Sequence, residues 1–171
     1  MVKVDDINVE NAISDIGIKL KKHLSSKNIN NLELIGIRRG GVWVADKVRQ
    51  ILFPDFDLGE LNIAFYRDDF SQIGLHPTIE PSKLPFDVTG KDILLFDDIL
   101  YTGRTVRAAM NEIFDYGRPN SIILIVLIDR GGRELPVNPD VCGIKIELNA
   151  DYHVKLSGPE PMRLKSVAQE K

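Results

Sequence analysis

Cysteine is nearly absent from this 171-residue chain: Cys142 stands alone. One thiol can close no intramolecular disulfide and cannot build a cysteine-clustered zinc site. Aromatic residues are sparse at 7%, with a single tryptophan, Trp43. Long apolar runs are missing too. The longest, Ile122 to Ile128, has seven residues, against the ~20 that a membrane-spanning helix needs. Neither sign of charge dominates, since 22 Lys and Arg stand against 25 Asp and Glu for a net charge of −3. The chain therefore has no overall basic field to draw nucleic acid. Two phosphate-binding patterns are also lacking: no Gly-x-x-x-x-Gly-Lys, which excludes a P-loop, and no Gly-x-Gly-x-x-Gly after the first strand, which argues against a dinucleotide fold. The opening Met1-Val2-Lys3-Val4-Asp5-Asp6 carries no apolar signal core, so a cytoplasmic location is expected.

With 43% hydrophobic and 27% charged residues, the chain has the composition of a globular domain long enough to bury a core without a metal or disulfide staple. Val9, Ile13, Ile16, Leu20 and Leu24 recur at steps of three and four, predicting an amphipathic helix with Asn8 as its N-cap. Leu32 to Ile37 reads as a strand running into the glycine-bearing turn Arg38-Arg39-Gly40-Gly41. A helix follows, with Val44, Val48, Ile51 and Leu52 on its buried side and Pro54 as its stop. Leu61, Ile63 and Phe65 alternate as a half-exposed strand would. The stretch of about residues 66–91 lacks periodicity and holds Pro77, Pro81 and Pro85, the profile of a functional flap. Ile93 to Phe96 and Ile122 to Ile128 are continuous apolar strands of the kind covered on both faces. Between them Val106, Ala109, Met110 and Ile113 mark a helix that Gly117 and Pro119 terminate. Ile144/Ile146/Leu148 and Tyr152/Val154/Leu156 alternate as two further strands. The expectation is an α/β fold, a mostly parallel twisted sheet flanked by helices, with one domain over residues 1–156 and a patternless tail over 157–171.

In such sheets ligands sit beyond the carboxyl ends of the strands. That rule singles out Arg38–Gly41, Asp97–Thr105 and Asp129–Arg133. The richest segment is Ile93-Leu94-Leu95-Phe96-Asp97-Asp98-Ile99-Leu100-Tyr101-Thr102-Gly103-Arg104-Thr105. Two carboxylates are placed where an apolar strand stops, and a Thr-Gly-x-Thr turn then opens a helix. Hydroxyls and backbone N–H groups at a helix N-terminus suit an anion. Asp97 and Asp98 are acceptors that repel phosphate and suit sugar hydroxyls or hydrated Mg²⁺. Together they ask for a ligand with a phosphate at one end and a diol in the middle, which a ribose 5-phosphate satisfies.

This segment resembles the phosphoribosyl-pyrophosphate (PRPP) signature of type I phosphoribosyltransferases. With Tyr66-Arg67-Asp68-Asp69, Asp97 to Ala108, Gly117-Arg118-Pro119 and Asp129-Arg130-Gly131-Gly132-Arg133-Glu134-Leu135-Pro136, it resembles the family of bifunctional pyrimidine-operon regulators with uracil phosphoribosyltransferase activity. The resemblance implies a transferase making UMP and pyrophosphate from uracil and PRPP. Its implied PRPP site is Asp97, Asp98, Ile99, Leu100, Tyr101, Thr102, Gly103, Arg104 and Thr105, with Mg²⁺ carried by PRPP and water-bridged to Asp97 and Asp98. Arg38, Arg39, Gly40 and Gly41 are implied for pyrophosphate, Arg67 at the flap base for catalysis with Asp97 and Asp98, and Ile128, Asp129 and Arg130 for uracil. The same resemblance implies a homodimer and a leader-RNA partner; read from the residues themselves, the candidate RNA contacts are Lys19 and Lys22 on the first helix and Arg133 in the base loop.

Gly36, Gly40 and Gly41 have no packing purpose evident in the sequence, which favours their use in binding. Tyr101 stands where purine-specific relatives of this superfamily place an aspartate, and a phenol with a pKa of ≈10 is a poor base near neutrality, favouring a pyrimidine acceptor. Two departures weaken RNA attraction. The family's histidine before Arg133 is here Gly132, and its Thr-Ser-Lys segment after Ile146 is Glu147-Leu148-Asn149-Ala150-Asp151, which adds acids where phosphate affinity needs cations. Two non-catalytic readings stay open. One is an RNA-binding regulator that senses uridine nucleotides without turnover. The other is a receiver-like acidic pocket, in which the Thr-Gly-Arg-Thr turn has no use. His23, His76 and His153 have no metal-ligand spacing, and Cys142 reads as a small strand residue.

Overall fold

The computed structural model describes residues 4–29, 31–63, 80–148 and 151–168. Arg67, the Tyr66–Asp69 motif, Phe65 and most of the expected flap lie outside them. A short 3₁₀ turn at Val4–Asp6 leads into α1 (Val9–Lys27), which Asn8 caps by accepting the Asn11 N–H at 3.0 Å. All five residues of the predicted stripe are buried. There follow β1 (Leu32–Ile37), α2 (Gly40–Leu52), β2 (Leu58–Leu61), β3 (Asp92–Leu100), α3 (Arg104–Tyr116), β4 (Ser121–Asp129) and β5 (Val141–Lys145).

The five strands form one parallel sheet in the order β2-β1-β3-β4-β5. Side chains alternate between its two faces. Leu34, Leu94, Phe96, Ile123, Ile125 and Leu127 pack with α1 and α2. Ile35, Ile37, Ile93, Leu95, Leu124 and Val126 pack with Val106, Ala109 and Ile113 of α3. Both faces are thus dry, which is why the central strands read as unbroken apolar runs. No helix among the described residues is long and apolar enough to cross a membrane.

Several boundaries differ from the sequence expectation. The strand expected around Leu61–Phe65 ends at Leu61, although Leu61 and Ile63 are both buried. Ile51, placed on the buried side of α2, is 57% exposed; it lies in the last turn of the helix, which ends at Leu52. β5 begins three residues before Ile144. Residues 157–168 do not form a patternless stretch: β6 (Tyr152–Ser157) pairs antiparallel with β7 (Arg163–Ala168). Charged and apolar residues mix along β7, but Leu164 is only 3% exposed and packs into the α1–α2 core with Val154. This hairpin is tied to the N-terminal turn by the Ser166 N–H donating to Asp5 Oδ1 at 2.8 Å. Its turn rests on α2, where the Trp43 ring lies 2.7 Å from the point a Gly158 Cβ would occupy and Lys47 pairs with Glu160.

Most consequential, β3 does not stop before the acidic pair but continues through Asp97 and Asp98 to Leu100, with Asp97, Ile99 and Leu100 paired to β4. The glycines around α2 also have a packing reason, contrary to expectation. A Cβ on Gly36 would meet Val42 Cα at 2.6 Å. One on Gly40 would overlap the Asp98 carboxylate, and one on Gly41 would overlap the Phe96 carbonyl and reach within 3.0 Å of Asp97 Cα. Gly36→Ala should lower stability by about 1–3 kcal/mol, the usual cost of forcing atoms into a filled site. A urea titration would show it as a lower midpoint at unchanged slope.

Candidate active site

Strand order reverses between β1 and β3: the chain steps from β1 outward to β2, and from β3 the other way to β4 and β5. A crevice opens at the carboxyl ends of strands at such a switch point. Here two helices begin side by side, α2 after β1 and α3 after β3. Each presents first-turn N–H groups that have no acceptor within the helix, with the positive end of its dipole.

The α2 terminus carries Arg38, Arg39, Gly40 and Gly41. Arg38 donates through Nε to Glu60 at 2.7 Å and through Nη1 to Glu80 at 2.6 Å. Hydrogen bonds donated to Glu80 and then to Glu60 hold its guanidinium above the ordinary arginine range. The reciprocal bond holds the Glu80 carboxyl below its ordinary range. The structure thus engages Arg38 with carboxylates and leaves Arg39 as the exposed cation of this turn.

The α3 terminus carries Thr102, Gly103, Arg104 and Thr105. Gly103 occupies the N-cap with φ at +93°, a conformation that costs glycine little and other residues much. Thr102 Oγ1 accepts the Arg104 N–H at 3.3 Å. The Arg104 side chain turns outward to Glu134 at 2.7 Å, so the concave side of the turn is left to backbone and hydroxyl groups.

Although adjacent on β3, Asp97 and Asp98 have different surroundings. The Asp98 carboxylate lies over Gly40 at the start of α2, partly exposed at the crevice. Asp97 is 3% exposed, and its Oδ1 accepts the Asp98 N–H at 3.0 Å. The two acids are inequivalent: one faces the crevice and the other steadies the backbone beneath it. Ile99 packs on the α1–α2 side and Leu100 is buried on the α3 side.

Beyond β4 the Asp129–Arg133 loop folds back over the end of β3. Asp129 Oδ1 accepts from the Gly131 N–H at 3.0 Å and from Arg133 Nη2 at 2.6 Å. Ile128 is fully buried. Arg130, 5% exposed, stacks on the Tyr101 ring with Cζ 3.8 Å from its centroid. Gly132, with φ at +74°, lies so close to Tyr101 that a Cβ would overlap the ring. The two expected RNA contacts with a described internal partner are Lys19, which donates to the Cys142 and Gly143 carbonyls at 2.8 and 3.1 Å, and Arg133. Lys22 is exposed on α1. β6 matches the strand expected at Tyr152/Val154/Leu156; the pairing role of Glu134, the packing of Trp43 on Gly158 and the second hairpin strand, β7, escaped sequence reasoning, and only the Glu in Arg-Glu-Leu-Pro, opposite in charge to Arg104, offered a signal.

Comparison with known proteins agrees with this geometry. The phosphoribosyl transferase domain family matches residues 4–160, and the chain belongs to that family. Within it the chain groups with proteins named bifunctional protein PyrR. It is 51% identical over 157 residues to that of Pseudomonas fluorescens, covering 92% of this chain and 94% of the relative. It is 48% identical over 159 residues to that of Nitrosococcus oceani, covering 92% and 90%. Among solved structures, a hypoxanthine-guanine phosphoribosyltransferase from Bacillus anthracis superposes with a TM-score of 0.63 at 16% identity, over 85% of this chain and 84% of that one. A purine phosphoribosyltransferase from Pyrococcus horikoshii gives 0.60 at 26% identity, over 81% and 83%. The expected type I phosphoribosyltransferase fold is therefore the observed one.

Cys142 is half-buried, its Sγ 3.3 Å from the Ile144 carbonyl oxygen, and burial pushes its thiol up. A raised thiol holds less thiolate at any given pH, and thiolate is the nucleophile. Ellman's reagent at pH 8 should therefore label native Cys142 several-fold more slowly than the urea-unfolded chain, the gap narrowing as pH rises.

Proposed function

We propose that this protein transfers the phosphoribosyl group of PRPP to uracil, releasing UMP and pyrophosphate. The observation that carries the reading is the pair of helix N-termini flanking Asp98 at the β1/β3 switch point. PRPP is a ribose with a monophosphate at one end and a diphosphate at the other, so it needs two anion cradles with a hydroxyl acceptor between them. In this reading the α3 turn, Thr102 to Thr105, takes the 5′-phosphate. The α2 start, Arg39 to Gly41, takes the pyrophosphate, and Asp98 accepts from a ribose hydroxyl while Asp97 fixes its backbone. Ile128, Asp129 and Arg130 frame the base, and Tyr101, which offers no carboxylate, suits a pyrimidine.

The chemistry asks the protein for position and charge. As the C1–O bond to pyrophosphate breaks, the ribose becomes oxocarbenium-like and the uracil nitrogen closes on C1, losing its proton. Helix N-termini fixed before the reaction stabilise the departing negative charge without reorganising. Mg²⁺ usually keeps substrate oxygens and waters around one or two carboxylates; the partly exposed Asp98 carboxylate fits that role, whereas Asp97 is buried beneath it. No three His, Cys, Asp or Glu side chains among the described residues gather into a metal cage. Bound with PRPP, Mg²⁺ would neutralise charge on the leaving group. Arg67 at the flap base would add positive charge to the same group, and Lys22 remains a candidate contact for leader RNA.

Incubation of the protein with PRPP, Mg²⁺ and uracil should release UMP and pyrophosphate in equal amounts. Asp98→Asn and Thr105→Val should each cut turnover by roughly tenfold or more, the scale of losing one charge-stabilising contact, with unchanged melting temperature. Binding of UMP with no turnover would instead favour a nucleotide-sensing regulator.

A further inference from the structure

The cation that joins the two halves of the crevice is Arg133, and nothing in the proposed chemistry uses it. Its side chain is 18% exposed. Nη1 donates to the Tyr101 carbonyl at 2.8 Å and lies 3.3 Å from the Leu100 carbonyl, Nε donates to the Val137 carbonyl at 2.9 Å, and Nη2 reaches Asp129 Oδ1 at 2.6 Å. These acceptors belong to three stretches: the end of β3 with the start of the phosphate turn, the end of β4, and the exit of the base loop. A planar fork with five donors can bridge them at once.

We propose that Arg133 is a positioning residue for the nucleobase. Its guanidinium fork pins the Asp129–Arg133 loop to the phosphate turn, so that base and ribose are presented in one fixed relation. The inference rests on the uracil transfer proposed above and adds to it the residue that sets base-site geometry. Three observations support it. Two glycines with positive φ, Gly131 and Gly132, leave the loop with little conformational bias of its own. Asp129 takes its side-chain cation from Arg133, so the same bond fixes a residue proposed to frame the base. Arg130 is then carried into its stack on Tyr101. The phosphate turn keeps anchors besides the fork, since α3 follows it directly and Thr102 O also accepts from the Glu134 and Leu135 N–H groups just beyond Arg133. Loss of the fork should therefore disturb the base more than the phosphate.

Arg133→Lys separates this role from a charge-only role such as attraction of a polyanion, because lysine keeps the charge and loses the fork. In Arg133→Lys and Arg133→Gln alike, KM for uracil should rise roughly ten- to a hundredfold, the effect of a misplacement near 1 Å. KM for PRPP should stay within about threefold and the melting temperature near that of the parent protein. Hydrogen exchange, which needs no catalysis, should quicken about tenfold at the Gly131 amide while amides of β3 and β4 keep their rates. Should Arg133→Lys keep the parent uracil KM and Gly131 exchange rate, the fork is not needed and the proposal fails. Equal rises in both KM values with faster exchange throughout the sheet would also overturn it, as general loosening. If Arg133→Gln does not fold, the lysine variant decides alone. If the parent protein shows no uracil transfer, that reading falls while the exchange comparison still decides the positioning role.

Discussion

The architecture depends on how closely the first turn of α2 approaches the carboxyl end of β3. Helices normally pack on sheets through side chains; here Gly40 and Gly41 bring backbone against the Phe96 carbonyl and the Asp98 carboxylate. Gly36, on β1, gives Val42 the same closeness. Without that approach the positive end of α2 would stand a side chain's width away from the crevice, and its field falls off within about one turn. The acid over that helix start lies within β3, where the pairing of Asp97, Ile99 and Leu100 with β4 on either side of it makes Asp98 part of a strand and not of a loop. The crevice is therefore preformed by main chain, with few side chains needing to be ordered when a ligand arrives.

Much of this was legible in the amino-acid sequence. Apolar runs at Ile93–Phe96 and Ile122–Ile128 announced two-faced burial, and the Thr-Gly-Arg-Thr turn announced a helix start, because both signals arise from local chemistry. The fate of the acidic pair was not legible. Two adjacent aspartates look like a strand terminator by propensity, yet the pairing of Asp97 with Val126 and Leu100 with Asp129 carries the strand past them. That is a tertiary effect outweighing a local preference. The role of the glycines was hidden for the same reason: a missing Cβ matters only through what stands opposite it. β7 escaped notice because an edge strand buried only through residues such as Leu164 shows almost no period.

The cations tell a similar story. Counted along the chain, Arg38, Lys19 and Arg133 look available to bind a polyanion. In the fold Arg38 holds Glu60 and Glu80, Lys19 holds carbonyls at β5, and Arg133 holds the base loop. Arg38 thereby ties Glu80 to the end of β1. Membership among PyrR proteins at about half identity coexists with a surface whose basic residues are partly occupied with keeping the fold together.

The seam between Trp43 and Gly158 gives the molecule a natural optical probe. One indole serves the whole chain, on the same short helix whose opening residues face the crevice, and it is roofed by the backbone of a hairpin from the far end of the domain. Its emission wavelength and quenching by iodide thus register how firmly that hairpin is seated, without any attached dye. Docking of the hairpin can thereby be followed in a stopped-flow trace separately from a far-ultraviolet signal of the parallel sheet.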